Sequence, residues 1–313
     1  MNDLFQKKLD SIINDIFTVD AFKDYLTLCS KFYHMPYYNQ ALIFNQNPNA
    51  TYLAGQSIWK SNFKRELKEN SKPILILFPK KDDASMDFDI GGLFDISQTI
   101  GDDIDFDEEV DIERKLREND FLLAASEMSN DTNKKYVVNA PEMTIYYDNR
   151  LEGEEYIKTL LLAYVEYKFV TSKSEISYAK QKQQAVNFVI TQAFGLDDKY
   201  TKFVFINKLK NELSLDELKD FLDDIQLMAL EIMRDFLGDF ISFEEVCFIN
   251  QLLDYNKDDF IQFVNNFSTS NKFLDGRLHD IKDKFELLNE ENFNKIKDER
   301  NNCKIISFPY CYY

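Results

Sequence analysis

The sequence predicts an α+β fold that is mostly helical, with a small sheet in each half. Only 8 glycines and 6 prolines occur in 313 residues, and this scarcity favours helices because both residues destabilise helix interiors. Apolar residues recur at helical spacing in long segments. Short apolar runs at Ile74–Phe78, which lies between two prolines, at Tyr136–Asn139 and at Met143–Tyr147 predict strands.

Helices are expected along most of the chain. The first 34 residues predict one or two, with a cap near Thr18–Asp20. Ser214 with Glu217, and Ser242 with Glu245, have the spacing of capping boxes. The further predicted helices are Phe121–Ser126, Glu154–Val170, Ser177–Phe194, residues 214–237, Ser242 to about Leu253, and Gly276–Leu288.

The length predicts more than one domain, and the patterns favour three consecutive ranges, 1–113, 114–237 and 238–313. The formal net charge is −18, but it is unevenly distributed. Residues 1–80 hold 10 basic and 7 acidic residues, while the rest of the chain holds 27 and 48. The first part is therefore weakly basic on an otherwise acidic protein.

Several classes are disfavoured. The four cysteines form no CxxC pair, so neither a zinc ribbon nor a thioredoxin motif is indicated. The amphipathic, charged start does not read as a signal peptide, and no apolar run approaches the length of a membrane helix. A cytoplasmic protein without a membrane partner is the expectation.

The segment from Phe32 to Pro79 is rich in rings and locally basic. Its aromatic residues are Phe32, Tyr33, Tyr37, Tyr38, Phe44, Tyr52, Trp59, Phe63 and Phe78. Its charged residues after position 59 are Lys60, Lys64, Arg65, Lys68 and Lys72, with Glu66 and Glu69. Aromatic rings stack on bases and cations track phosphates, so this composition is typical of single-strand binding. The alternative, that most of these rings are core, stays open.

Residues 81–113 hold 13 acidic residues and no basic residue after Lys81. They include Asp82, Asp83, Asp102, Asp103, Asp105, Asp107, Glu108 and Glu109. Such a segment is usually a solvated loop. The other interpretation is a phosphate-mimicking strip that engages the basic surface of a host defence or DNA-processing protein.

Two motifs resemble one family. The string Tyr38-Asn39-Gln40-Ala41-Leu42-Ile43-Phe44 is followed by Gln46-Asn47-Pro48-Asn49-Ala50-Thr51, Gly55, Trp59 and Lys68. The later string is Phe94-Asp95-Ile96-Ser97-Gln98-Thr99. Together they resemble the N-terminal domain of ArdC-type antirestriction proteins and their LtrC-like relatives. Met35-Pro36-Tyr37 departs from the family pattern, which has a Ser beside the Asn.

This resemblance implies a single-stranded-DNA-binding domain encoded on a plasmid, conjugative element or phage. The residues that we expect to contact DNA are Tyr38, Asn39, Gln46, Trp59, Lys60, Lys64, Arg65 and Lys68. The aromatic rings would stack on bases, the amides would contact bases or backbone, and the cations would hold phosphates.

The same family continues into a zincin-type domain with a T-L-x-H-E-x-x-H helix, in which two His bind zinc and the Glu polarises water. Here Leu162 and Glu166 stand where the histidines belong, and Ala163 stands where the base belongs. The next helix has Gln183–Phe188 in place of the acidic third ligand. The expectation is a degenerate zincin-like domain with no metal, no cofactor and no catalytic residues.

The last 76 residues are expected to form a helical extension. Residues 254–265 lack the Gly and Glu that an EF-hand loop needs, and the apolar tail at 304–313 would dock or engage a partner. The expected function is thus an inactive ArdC-like protein that binds single-stranded DNA in antirestriction or DNA transfer. The alternative is an acidic protein-interaction or inhibitor module.

Overall fold

The computed structural model describes residues 3–82, 85–104, 110–128, 134–172, 177–196, 201–238, 240–252, 257–267 and 272–286. Its helices are α1 Asp3–Ile16, α2 Val19–Cys29, α3 Tyr37–Gln46, α4 Gln56–Ser61, α5 Ile112–Glu118, α6 Gly153–Thr171, α7 Ala179–Ala193, α8 Ile206–Glu212, α9 Leu215–Leu237, α10 Phe243–Leu252, α11 Lys257–Asn266 and α12 Lys272–Glu286. Its strands are β1 Leu53–Ala54, β2 Glu66–Leu67, β3 Ile74–Asp82, β4 Ser85–Asp95, β5 Thr99–Ile100, β6 Leu122–Ser126, β7 Tyr136–Asn139 and β8 Thr144–Asp148. The predicted α+β class with a helical majority is confirmed.

Contacts group the chain into two compact units, each discontinuous in sequence. One unit contains residues 1–9, 34–105 and 239–313, and the other contains residues 10–33 and 106–238. This grouping cuts across the three consecutive ranges expected from the sequence. The reason is that segments far apart in the chain pack together, which no local composition reveals.

The first unit is built around an antiparallel sheet with strand order β1-β4-β3. The long pair β3–β4 runs from Ile74 opposite Leu93 to Asp82 opposite Ser85. Gly91 permits this pairing, since a Cβ there would lie 2.2 Å from Cε2 of Phe78. Helices α3 and α10 pack against β3, and β2 pairs with β5 in a separate two-stranded ladder.

The second unit is a helical body with a small mixed sheet. Helix α7 packs against α6, α9 and α2, around a cluster of buried rings. These rings are Phe17, Phe22, Phe188, Phe203 and Phe221. The sheet has the order β6-β8-β7, with β6 parallel and β7 antiparallel to β8.

The sequence signals for helix starts are confirmed by the hydrogen bonds. Thr18 caps α2, its hydroxyl accepting from Ala21 N at 3.3 Å. Ser214 and Glu217 form both bonds of a capping box at α9. At α10, Ser242 N donates to Glu245 Oε2 at 2.7 Å and Glu245 N donates to Ser242 Oγ at 3.4 Å.

The helix predicted at Phe121–Ser126 is wrong. The segment Leu122–Ser126 is strand β6, paired in parallel with β8 from Leu122 opposite Thr144 to Ser126 opposite Asp148. Leucine and alanine favour helices locally, but pairing with β8 overrides that preference. The helix lies earlier, at α5, where Asp111 caps the first turn.

Among the helices that the structure describes, none combines the length and apolar character needed to cross a bilayer. Residues 254–256 of the EF-hand-like string and the apolar tail at 304–313 lie outside the described residues. So do Asp83, Asp105, Asp107, Glu108 and Glu109 of the acidic segment.

Candidate nucleic-acid interface

Two side-chain amides of α3 are bonded to the outer edge of β3. Asn39 Nδ2 donates to Leu77 O at 2.8 Å, and Leu77 N donates to Asn39 Oδ1 at 2.8 Å. Gln46 repeats the pattern at Leu75, with distances of 2.8 and 2.9 Å. Leu75 and Leu77 alternate along the strand, so their backbone groups point to the same side.

A third amide extends this row. Gln251 of α10 donates through Nε2 to Pro79 O, the next alternate residue, whose nitrogen has no hydrogen to give. β3 is an edge strand, and an edge presents unpaired N–H and C=O groups unless something covers it. The structure therefore gives the side-chain amides of Asn39 and Gln46 an architectural role at the edge of β3. No sequence signal marks Gln251, because its contact joins residues 172 positions apart.

Tyr38 lies in the interior, with an exposed fraction of 8%. Its hydroxyl donates to Glu244 Oε1 at 3.1 Å, and its ring meets Phe88 edge-on at 5.4 Å. Burial raises the pKa of the Tyr38 hydroxyl, and burial also raises the pKa of the Glu244 carboxyl. A ring held in this way is not available as a stacking platform.

Trp59 is also a core residue, with 1% exposure. Its Nε1 donates to Phe94 O at 2.8 Å, and its ring lies 5.2 Å from that of Phe63. The bond to Phe94 ties the first motif to the second. The core interpretation of the aromatic segment therefore holds for both Tyr38 and Trp59.

Asp95 is the centre of the second motif and is 1% exposed. Its Oδ2 accepts from Thr51 N at 2.7 Å and Tyr52 N at 3.1 Å. Its Oδ1 accepts from Ser97 N at 2.9 Å, and Asp95 N donates to Gln98 Oε1 at 2.9 Å. Asp95 thus caps the 3₁₀ turn Ile96–Gln98 and joins it to the end of the first motif.

The basic lobe, which we define as residues 56–72, is attached to the same turn. Lys68 N donates to Gln98 O at 2.8 Å, and Lys68 Nζ donates to Ser97 O at 2.7 Å. Gln98 Nε2 donates to Lys72 O at 2.7 Å. The two motifs therefore fix the backbone of the basic lobe.

The predicted DNA contacts divide into two groups. Tyr38, Asn39, Trp59 and Arg65 are buried, and the Gln46 amide is bonded to β3. Lys60, Lys64 and Lys68 are exposed, as is Lys72. Lys60 forms an exposed ion pair with Glu66 at 3.9 Å, which is weak at such a position. The structure thus brings three predicted cations to the surface of one lobe.

The metal-site positions of α6 do not form a metal site. Leu162 has no ligand atom, and Ala163 is fully buried. Glu166 Oε2 accepts from the hydroxyl of Tyr136, on β7, at 3.0 Å. In α7, Ala185, Val186 and Phe188 are core residues, and Gln183, Gln184 and Asn187 are partly buried amides. The segment holds no acidic residue at the position of the family's third ligand. These residues do not fit a zinc ion.

In the described parts of the chain, no group of three or more His, Cys, Asp and Glu side chains is placed to hold a metal ion. Cys29 and Cys247 are buried. Burial raises the pKa of the Cys29 thiol, and it raises that of Cys247 to about 12. Thiols in such surroundings are poor nucleophiles.

Comparison with known proteins finds a distant structural similarity. No family model matches the chain, and no curated protein matches it. A crystal structure of the antirestriction protein ArdC from plasmid R388, with Mn(II) bound, aligns with a TM-score of 0.42 and 10% identity. The alignment covers 64% of this chain and 83% of that one. A similarity this distant carries no inference about function.

Proposed function

We propose that this protein binds single-stranded DNA through the basic lobe. The observation that carries the proposal is that Lys60, Lys64, Lys68 and Lys72 are exposed on one short segment. Lysines at a surface hold phosphates and make binding depend on salt. The backbone that carries these lysines is fixed, so little backbone entropy is lost on binding.

The backbone conformation of the basic lobe supports a preformed binding surface. Lys64 has a positive φ of 53°, a conformation that residues other than glycine adopt rarely. The ladder of β2 with β5 and the bond from Gln98 to Lys72 O hold the residues that follow Lys64. The binding we propose is electrostatic and independent of base sequence, because the amides and rings that were candidates for base contact are buried or hydrogen-bonded to the protein backbone.

The second unit would act as a scaffold without catalysis. Supporting this are the missing ligand atom at Leu162, the apolar Ala163, and the bond between Glu166 and Tyr136. The motif resemblance supplies the biological context that we propose, namely protection or transfer of DNA on a mobile element or phage.

The test is fluorescence anisotropy of a labelled dT20 oligonucleotide, titrated at several salt concentrations, with a duplex of equal length for comparison. The decisive variant is Lys60→Gln, Lys64→Asn and Lys72→Gln combined. Asparagine is chosen at position 64 because it tolerates a positive φ. Lys68 is kept, since its Nζ is bonded to Ser97.

The matched control is Lys180→Gln, Lys202→Gln and Lys208→Gln, three exposed lysines of the other unit. Wild-type protein and control should bind the single strand with an affinity that falls as the salt concentration rises. The lobe variant should bind more weakly, and its salt slope should fall by about 2 if three phosphate contacts are lost. Absence of binding at low salt, or equal loss in both variants, would contradict the proposal and favour the acidic interaction module.

A further inference from the structure

We propose that Arg65 is a fixed receptor for one backbone phosphate. The inference deepens the proposed function and rests on it. The Arg65 guanidinium would set where the strand lies, whereas the exposed lysines of the basic lobe would add positive charge around it.

The Arg65 side chain is held at several points. Nε donates to Thr99 Oγ1 at 2.7 Å, and Nη1 donates to Asp102 O. Its aliphatic stem lies against Gly101, where a Cβ would be 2.6 Å from Arg65 Cγ. Its backbone N donates to Trp59 O at 2.8 Å. The guanidinium plane is therefore set before any ligand arrives.

In the described part of the chain, no carboxylate balances the charge of this group. Both acceptors are uncharged oxygens, and within the described ranges Arg65 forms no ion pair with Asp or Glu. Only 8% of the residue is exposed. A buried charge without a counter-charge is costly unless a partner of opposite sign supplies one.

One edge of the guanidinium remains for such a partner. Nη2 makes no hydrogen bond to any residue that the structure describes, and the residue keeps an exposed fraction of 8%. A phosphate oxygen matches a guanidinium N–H edge better than an ammonium group does, because the fork is planar and rigid.

The surroundings explain why the ligand would be a phosphate of a polymer. Lys64 is adjacent and exposed, and it adds a second positive charge. Asp102 and Asp103 are exposed too, and they oppose any anion. Salt and water screen these exposed carboxylates more than they screen the buried guanidinium, so they weaken the attraction of Arg65 for one phosphate of a strand without cancelling it, and the exposed lysines of the basic lobe hold the neighbouring phosphates.

The first experiment compares Arg65→Lys with Arg117→Lys, an exposed arginine of the other unit that pairs with Glu113. Lysine keeps the charge and loses the fork. We expect about tenfold weaker binding of dT20 by Arg65→Lys and no change in Arg117→Lys. A folded Arg65→Lys protein with wild-type affinity would overturn the inference.

A second measurement needs no folded variant. In ¹⁵N-labelled wild-type protein, the Nε–H resonance of Arg65 should shift on adding the tetranucleotide dT4 and stay unshifted with dT4 in which methylphosphonates replace every phosphate. An unshifted resonance at saturating dT4 would overturn the inference. If the combined variant of Lys60, Lys64 and Lys72 loses affinity while the Arg65 resonance does not shift, the proposed function stands and only this inference fails. No binding of any oligonucleotide would refute both.

Discussion

The side-chain amide of Asn39 bonds to both backbone groups of Leu77, as a neighbouring strand would. Both distances are 2.8 Å, and Asn39 is fully buried. This pairing closes the exposed edge of β3 and sets the position of α3 on the sheet. It also gives a structural role to Asn39, whose amide is predicted from the sequence to contact DNA.

Replacing Asn39 by Ala should therefore destabilise the protein strongly. Two buried backbone groups would lose their partners, at about 1–3 kcal/mol each, so we expect a loss of about 3 kcal/mol in the free energy of unfolding. Gln46→Ala should cost less, because its bonds to Leu75 are exposed to water. Urea unfolding measures both. A loss under about 0.5 kcal/mol for Asn39→Ala would contradict the role of the amide.

Asp95→Asn tests the link between the two motifs. An amide places an NH₂ group where a carboxylate oxygen now accepts from Thr51 N and Tyr52 N, or from Ser97 N. We expect a loss of about 2 kcal/mol in the free energy of unfolding. Asp102→Asn, at an exposed position, is the control and should change stability little. Equal stability of the two variants would argue against the link.

His34 should make the first unit sensitive to acid. Burial lowers its pKa from 6.5 to about 3. The unfolded chain then binds the proton more readily than the folded protein between those two values, so stability falls as the pH drops below 6.5. From pH 7.0 to 5.0 this amounts to about 2 kcal/mol.

The measurement is urea unfolding at pH 7.0 and 5.0 for the wild type and for His34→Gln. The variant should lose less stability than the wild type over this interval, whatever its stability at pH 7.0. The same acid dependence in both proteins would show that other groups are responsible.

Trp59, the single tryptophan of the chain, should not sense DNA directly. Its 1% exposure and its bond to Phe94 O leave no face for a base. We expect little quenching of its fluorescence by acrylamide until urea unfolds the protein, and no change on adding dT20. Strong quenching by the oligonucleotide would instead favour the stacking role.

Histidines introduced on α6 test the degenerate zinc positions. Wild-type protein should retain no stoichiometric zinc at this helix, because Leu162 has no ligand atom and Glu166 is bonded to Tyr136. Leu162→His with Glu166→His places two imidazoles at i and i+4 on one helix face, and it should gain zinc affinity. Leu162→Gln with Glu166→Gln is the control. Stoichiometric zinc in the wild type that Glu166→Gln removes would refute the assignment.

The strong local signals in the sequence predict helix caps and a strand that occur in the structure. The capping boxes at Ser214 and Ser242, the cap at Thr18, and the strand starting at Ile74 all occur in the structure. The segment Leu122–Ser126 is an exception, since its partner β8 lies beyond a second strand in the sequence. Local preference carries no information about such a partner.

By itself, the sequence determined the fold class, most helices, the exposed lysines of the basic lobe and the absence of ligand atoms at Leu162 and Ala163. These follow from side-chain chemistry and from periodicity over one or two turns. Only the tertiary structure decided which polar residues face a ligand and which support the fold. Asn39, Asp95 and Trp59 bond to backbone groups 35 to 44 residues away. An amide or indole that satisfies a distant backbone group has the same one-dimensional pattern as one that contacts DNA, and only the tertiary contacts separate the two.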